Sequence, residues 1–253
     1  MDADGQENHL KAYGITYWVL TKQQKVQWLL NYRGGSFLLP DGEIIRKECQ
    51  IRGVSFEVLT DAQAEEILDG ISSPSQNQDA VILEKAPKIA VYSPKENQPW
   101  DDAVTMVLTY AEIPYTTIYD EEVLGDKLAL YDWLHLHHED FTGQYGRFYG
   151  HYRAAPWYIE SKAEAEALAQ KLGYSKVSDE KLAVALKIRN YVIGGGFMFA
   201  MCSATDSFDI ALAAENVDIC EPMFDGDPSD ANYQSKLNYG NTFAFTNFIL
   251  ERN

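Results

Sequence analysis

Cys202 stands within residues 194–206 (GGGFMFAMCSATD), where an apolar, strand-forming run passes into a helix-forming one with almost no loop between them. Ala200 and Ala204 flank it two positions away on either side. A sharp strand-to-helix turn crowds those two places, so nucleophile elbows keep small residues there. A thiol on such a turn projects above the carboxyl edge of a sheet, where ligands bind in doubly wound folds. The amides opening the next helix favour its thiolate form. Nucleophilic attack is the chemistry this pattern predicts. The competing assignment is a small core residue, the usual role of a free cysteine in an apolar strand.

A second set of reactive types is His135, His137, His138, Glu139 and Asp140 (HLHHED). On an extended strand His135 and His137 share a face, and the other three follow at the strand end. An H-x-H pair with a carboxylate suits zinc or iron. The same set also suits an acid/base group in a pocket beside Cys202, or a hydrogen-bonded loop that holds its Gly-rich neighbour. Residues 141–158 then bring many aromatics, Tyr145 among them, together with Arg147 and Arg153. Aromatics mixed with arginine stack on sugars or cap carboxylates. Residues 225–230 (DGDPSD) hint at a calcium loop but depart from EF-hand spacing, and a solvated acidic turn explains them better. No cofactor is expected; a small-molecule or peptide ligand is.

The elements that must position these groups follow from periodicity and punctuation. Residues 12–20 (AYGITYWVL) are rich in β-formers and predict a strand, 22–31 a short helix, 36–39 a brief extended piece, and 41–52 an amphipathic helix ending at Gly53. A strand at 54–59 and a helix at 61–68 capped by Thr60 complete a small α/β unit. Residues 72–79 (SSPSQNQD) have the composition of a linker. Beyond it, 88–92 (KIAVY) predicts a strand buried on both faces, 100–113 a helix, 115–119 a strand and 128–135 another strand. Helices are expected at 161–172, capped by Ser161, at 178–192 and at 205–214, with strands at 197–201 and 217–221. Alternating strands and helices imply a parallel sheet covered on both faces. The expected division is 8–84 for the first domain and 86–253 for the second.

The 38 acidic against 21 basic residues leave a net charge of −17, which repels phosphate backbones and argues against a nucleic-acid partner. No apolar run reaches the roughly 20 residues of a membrane span. The polar opening MDADGQ has neither a basic nor an apolar region of the kind a signal peptide needs. Three cysteines are too few for a disulfide framework and lack zinc-site spacing.

Two resemblances add to this reading. The opening strand 88–92 and the helix–glycine–strand–cysteine–helix passage resemble class I glutamine amidotransferases. Over nearly its whole length the chain resembles bacterial envelope proteins often labelled asparagine synthetase B. The likeness lies in residues 8–14 (NHLKAYG), 30–37 (LNYRGGSF), 98–103 (QPWDDA), 130–143 (LYDWLHLHHEDFTG) and 200–206 (AMCSATD). The resemblance implies a flavodoxin-like, amidotransferase-like second domain, a location in the periplasm or cell envelope, Cys202 as nucleophile, and backbone amides at Gly143 and Gly146 as an oxyanion loop. Asparagine synthesis is not expected, because Asp2 follows Met1 and there is no Gly-rich pyrophosphate loop. The superfamily places its catalytic histidine after the elbow, yet no histidine follows His151. Residues 242–250 (TFAFTNFIL) read as a strand running almost to the last residue, the pattern of a fragment boundary.

Overall fold

The computed structural model describes residues 8–73, 75–94, 103–144 and 146–251, the side chain of Arg147 excepted. Two compact units divide the chain, 1–87 with 98–115 and 88–97 with 116–253.

The first unit departs from the local propensities at its start. Residues 12–20 are helical within α1 (His9–Thr21), and the segment expected as a helix forms strand β1 (Val26–Leu30). In α1 the buried pairs Ile15/Val19 and Thr16/Leu20 recur every four residues, so burial follows the helical period despite the β-branched composition. β1 becomes a strand because it gains partners on both sides. β2 (Ser36–Leu38) and β3 (Asp79–Leu83) pair with it antiparallel, giving the order β2-β1-β3. β3 begins within the polar stretch expected to be a linker. Helix α2 (Glu43–Ile51) turns Cys49 into the core, which Ile15, Val19, Leu20 and Val26 complete. Thr60 caps α3 (Asp61–Ile71) in a reciprocal box with Gln63, as expected. Residues 54–59 join neither sheet.

Helix α4 (Ala103–Ala111) groups with this first unit and packs on α1. A Cβ at Gly14 would lie 1.7 Å from the Ala111 carbonyl oxygen, so only glycine permits that approach. Of the expected helix at 100–113, Ala103–Ala111 is helical, 112 and 113 are not, and 100–102 lie outside the described residues.

The second unit holds β4 (Ile89–Tyr92), β5 (Tyr115–Ile118), β6 (Trp133–Leu136) and β7 (Phe197–Ala200) in a parallel sheet of order β5-β4-β6-β7. The chain steps from β4 to one side and then crosses to the other, a flavodoxin-like order with its switch point between β4 and β6. The flanking helices are α5 (Asp120–Leu124), α6 (Gly146–Tyr152), α7 (Pro156–Lys171), α8 (Val177–Ile193) and α9 (Ser203–Ala213). Ala90, Tyr92, Leu134 and Leu136 of the sheet meet Val184, Ala185 and Ile188 of α8 and Phe208 and Leu212 of α9, all at most 2% exposed. Each large apolar side chain so buried contributes about 1.5–3 kcal/mol.

Four details differ from the sequence reading. β6 starts at Trp133, after a 3-10 turn at Lys127–Leu130. α7 starts at Pro156, placing Ser161 inside the helix instead of at its cap. Residues 217–221 form a loop, in which the Asp218 carboxylate accepts from the Cys220 amide at 2.9 Å. Residues 242–250 are irregular, because side-chain oxygens take the amides that a strand would have paired. The buried Asp209 carboxylate of α9 accepts from the amides of Phe243, Ala244 and Phe245, each at 2.8 Å. Among the described residues no helix is long and apolar enough to cross a membrane.

Two substitutions test these contacts. Gly14→Ala, ordinarily worth 0.5–1 kcal/mol of gain inside a helix, is expected to cost about 1–3 kcal/mol in urea unfolding, because its methyl meets backbone. Asp209→Ala is expected to release residues 242–250, read as new protease cleavage there under conditions that leave the parent chain intact.

Candidate functional site

The parallel pairing of β6 and β7 sets Leu136 opposite Ala200, and the two chains remain joined past the strand ends. The Met201 amide donates to the Leu136 carbonyl at 2.9 Å and the Ala204 amide to the His137 carbonyl at 3.2 Å. The Ser203 and Ser207 hydroxyls donate to the carbonyls of His138 and Glu139, both at 2.8 Å. Residues 137–139 are therefore laced to the first turn of α9, and the His138 carbonyl is bound by Ser203, the residue after Cys202.

Cys202 occupies the N-cap of α9 with φ 51° and ψ −135°, and its side chain is exposed. A non-glycine residue held there costs on the order of 1–3 kcal/mol, which the surrounding structure must overcome. Its carbonyl accepts from the Thr205 amide at 3.2 Å and the Thr205 hydroxyl at 2.5 Å. Ala204 is wholly buried, so the place two residues after the thiol admits only a small side chain. Backbone and packing thus have the form of a sharp strand-to-helix turn with an exposed thiol.

The histidine-rich segment is divided by depth. His135 is fully buried, stacked on Phe199 with ring centroids 6.0 Å apart. His137 is half-buried and His138 exposed, their centroids 3.5 Å apart. Asp140 Oδ1 accepts from the Thr142 amide at 2.8 Å and hydroxyl at 2.5 Å, which closes the loop on itself. Among the described residues the one group whose ligand atoms converge as at a metal is Asp218, Asp225 and Asp227. There Lys176 Nζ already supplies the positive charge, at 3.3, 3.2 and 2.6 Å from the three carboxylates. The hydrogen bond to Asp227 leads the contacts that raise the lysine's pKa further above its usual value. The acidic turn is an ion-paired corner.

At the carboxyl edge of the sheet opens a cleft of about 1370 Å³. His138, Glu139 and Asp140 line it beside Ser203 and Asp206 of α9, and Phe148, Tyr149, Trp157 and Tyr158 supply an aromatic side. Phe148 and Trp157 meet edge to face at 5.8 Å. Cys202 itself is not part of the lining. Tyr145 and the Arg147 side chain lie outside the described residues, and Gly146 is the first residue of α6. Gly143 is buried with φ +71°, and a Cβ there would come within 2.6 Å of the Ser178 Cα. Close packing on the start of α8 is thus reason enough for glycine at 143.

Two charged residues that the sequence reading passed over, Lys181 and Asp120, lie beneath this edge. Lys181 Nζ donates to Asp120 Oδ2 at 2.7 Å, to the Tyr119 hydroxyl at 3.0 Å and to the Tyr92 hydroxyl at 3.1 Å. Tyr92 in turn donates to Asp120 Oδ1. Burial opposes the lysine's charge, but these oxygens outweigh it and hold its pKa well above the ordinary value. Glu180 is also buried, with Oε1 unpartnered; burial first, and then Asp120, push its pKa up to about 8. A signal for the cluster was present. Val177, Glu180, Lys181, Val184, Ala185 and Ile188 recur at helical spacing on the buried face of α8, so two charges sit on an apolar stripe.

Sheet order and turn together define an α/β protein of flavodoxin-like topology with an exposed cysteine at the carboxyl edge of its parallel sheet. No family model, curated protein or solved structure matches the chain.

Glu180 has a definite pH consequence. The folded protein keeps its proton up to about pH 8, whereas the unfolded chain loses it near 4.5. The native state therefore binds more protons in that window, and its stability falls as pH rises through it. Glu180→Gln removes this slope. The variant is expected to gain on the parent progressively between about pH 5 and 8, and parallel stability curves over that range would refute the assignment.

Proposed function

We propose that this protein is a cysteine-dependent amide hydrolase or amidotransferase-like enzyme with Cys202 as its nucleophile. The observation that carries the reading is the exposed thiol on a left-handed backbone at the strand-to-helix junction. Strain of this kind persists where the fold over-determines it, and it concentrates at functional sites. The Cys202 sulfur attacks an amide carbonyl, the C–N bond breaks, the amine leaves with a proton, and water or a second amine releases the thioester. A base is needed near the sulfur. His138, exposed and tied through its carbonyl to Ser203 beside Cys202, is the candidate, in place of the downstream histidine of the amidotransferases. The resemblance to envelope proteins goes with action on an envelope or periplasmic amide, and asparagine synthesis is not part of the proposal.

One observation favours a second reading, a non-catalytic binding module. The cleft is lined by the neighbours of Cys202 and not by Cys202. Thiol reactivity separates the two. An activated Cys202 should take up iodoacetamide at least about tenfold faster than N-acetylcysteine near pH 7, and His138→Ala should return it to the rate of an ordinary thiol. Buried Cys49 and Cys220 should stay unlabelled in the folded protein. A Cys202 rate no greater than that of N-acetylcysteine leaves only the binding module.

A further inference from the structure

Among Lys181, Tyr92, Asp120 and Tyr119 beneath the cleft, every hydrogen-bond donor but one is spent. The Lys181 ammonium has three protons and three acceptors: Asp120 Oδ2, Tyr119 and Tyr92. Tyr92 accepts from Lys181 and gives its own proton to Asp120 Oδ1. Tyr119 also accepts from Lys181, so its O–H must point elsewhere, and among the described residues nothing accepts it. Tyr119 and Lys181 both line the cleft, whereas Tyr92 and Asp120 do not. The one unspent donor of the network therefore belongs to a residue that lines the cleft.

We propose that the Tyr119 hydroxyl donates a hydrogen bond to the carbonyl oxygen of a neutral amide bound in this cleft. The ammonium on the phenol oxygen polarises its O–H and makes it a stronger donor. Burial raises the Tyr119 pKa above that of an ordinary tyrosine, so the proton stays in place across the physiological range. The charges select a neutral acceptor. Lys181 and Asp120 cancel, as do Glu121 and Lys171, and beyond them Asp140, Glu164, Asp206 and Glu251 are among the acids that line the cleft, against a single further cation among the described residues, Arg153. A carboxylate ligand would meet repulsion there, whereas a carbonyl would not. An ammonium elsewhere on the same ligand would gain from the acids and from the face of Trp157.

This inference concerns what the cleft holds and does not rest on the reactivity of Cys202, so the test uses the Cys202→Ala protein. Three probes differ in one group: phenylalaninamide, phenylalanine, and phenethylamine, which lacks the carbonyl. In NMR titrations phenylalaninamide should bind about five- to tenfold tighter than either of the others, and Tyr119→Phe should erase its advantage over phenethylamine. In protein carrying 13Cζ-tyrosine, the Tyr119 signal should shift with phenylalaninamide and not with phenethylamine, a readout that needs no Tyr119 variant. Equal binding of the three probes, an amide preference that survives Tyr119→Phe, an unmoved Tyr119 signal, or no saturation by phenylalaninamide up to about 10 mM would each overturn the proposal.

Discussion

Strands β4, β6 and β7 run parallel and in register, so Tyr92, Leu136 and Ala200 arrive together at one edge of the sheet. Parallel pairing imposes this, because each strand returns through a crossover and finishes at the same end. The loop after β5 carries Tyr119 and Asp120 there, the loop after β6 carries His138 and Glu139, and the turn after β7 carries Cys202. Residues far apart in sequence become neighbours through that constraint alone. The hydroxyls of Ser203 and Ser207 then fix the spacing of the last two loops by binding backbone carbonyls between them.

Charge beneath that edge is stabilised by pairing and would be intolerable without it. A lone ammonium in an apolar interior loses several kcal/mol of hydration, and the Asp120 carboxylate with two phenol oxygens offsets that loss. The arrangement also holds two aromatic rings at the ends of β4 and β5, with Tyr92 and Tyr119 centroids 5.1 Å apart. A rigid polar base under a wide, partly aromatic cleft is suited to orienting a ligand. The Asp209 carboxylate plays a comparable part on the other side of α9, where three backbone amides substitute for the hydration it gave up.

Elements whose burial matches their local pattern could be read from the chain. The strand at Ile89–Tyr92 is buried at every residue and appears as an unbroken apolar run. The α3 cap at Thr60, the helices α8 and α9 and the small-residue spacing around Cys202 are likewise local signals. Residues 12–31 misled because β-propensity describes a fit to a half-buried pleated surface, and 12–20 instead lie against a helix that returns some ninety residues later in the chain. β1 pairs with a segment about fifty residues away, which nothing in its own composition announces.

The amino-acid order by itself determined the alternation of strand and helix in the second unit, its apolar centre, its acidic surface and the tight turn at Cys202, since each depends on residues within about one helical turn of one another. Only the tertiary structure decided which histidine is buried and which is exposed, that the acidic 225–230 turn closes on Lys176, and that Lys181 shares its protons with Asp120, Tyr92 and Tyr119. Those outcomes depend on distance through space and on access to water. A chain read in one dimension carries neither until the strands have paired.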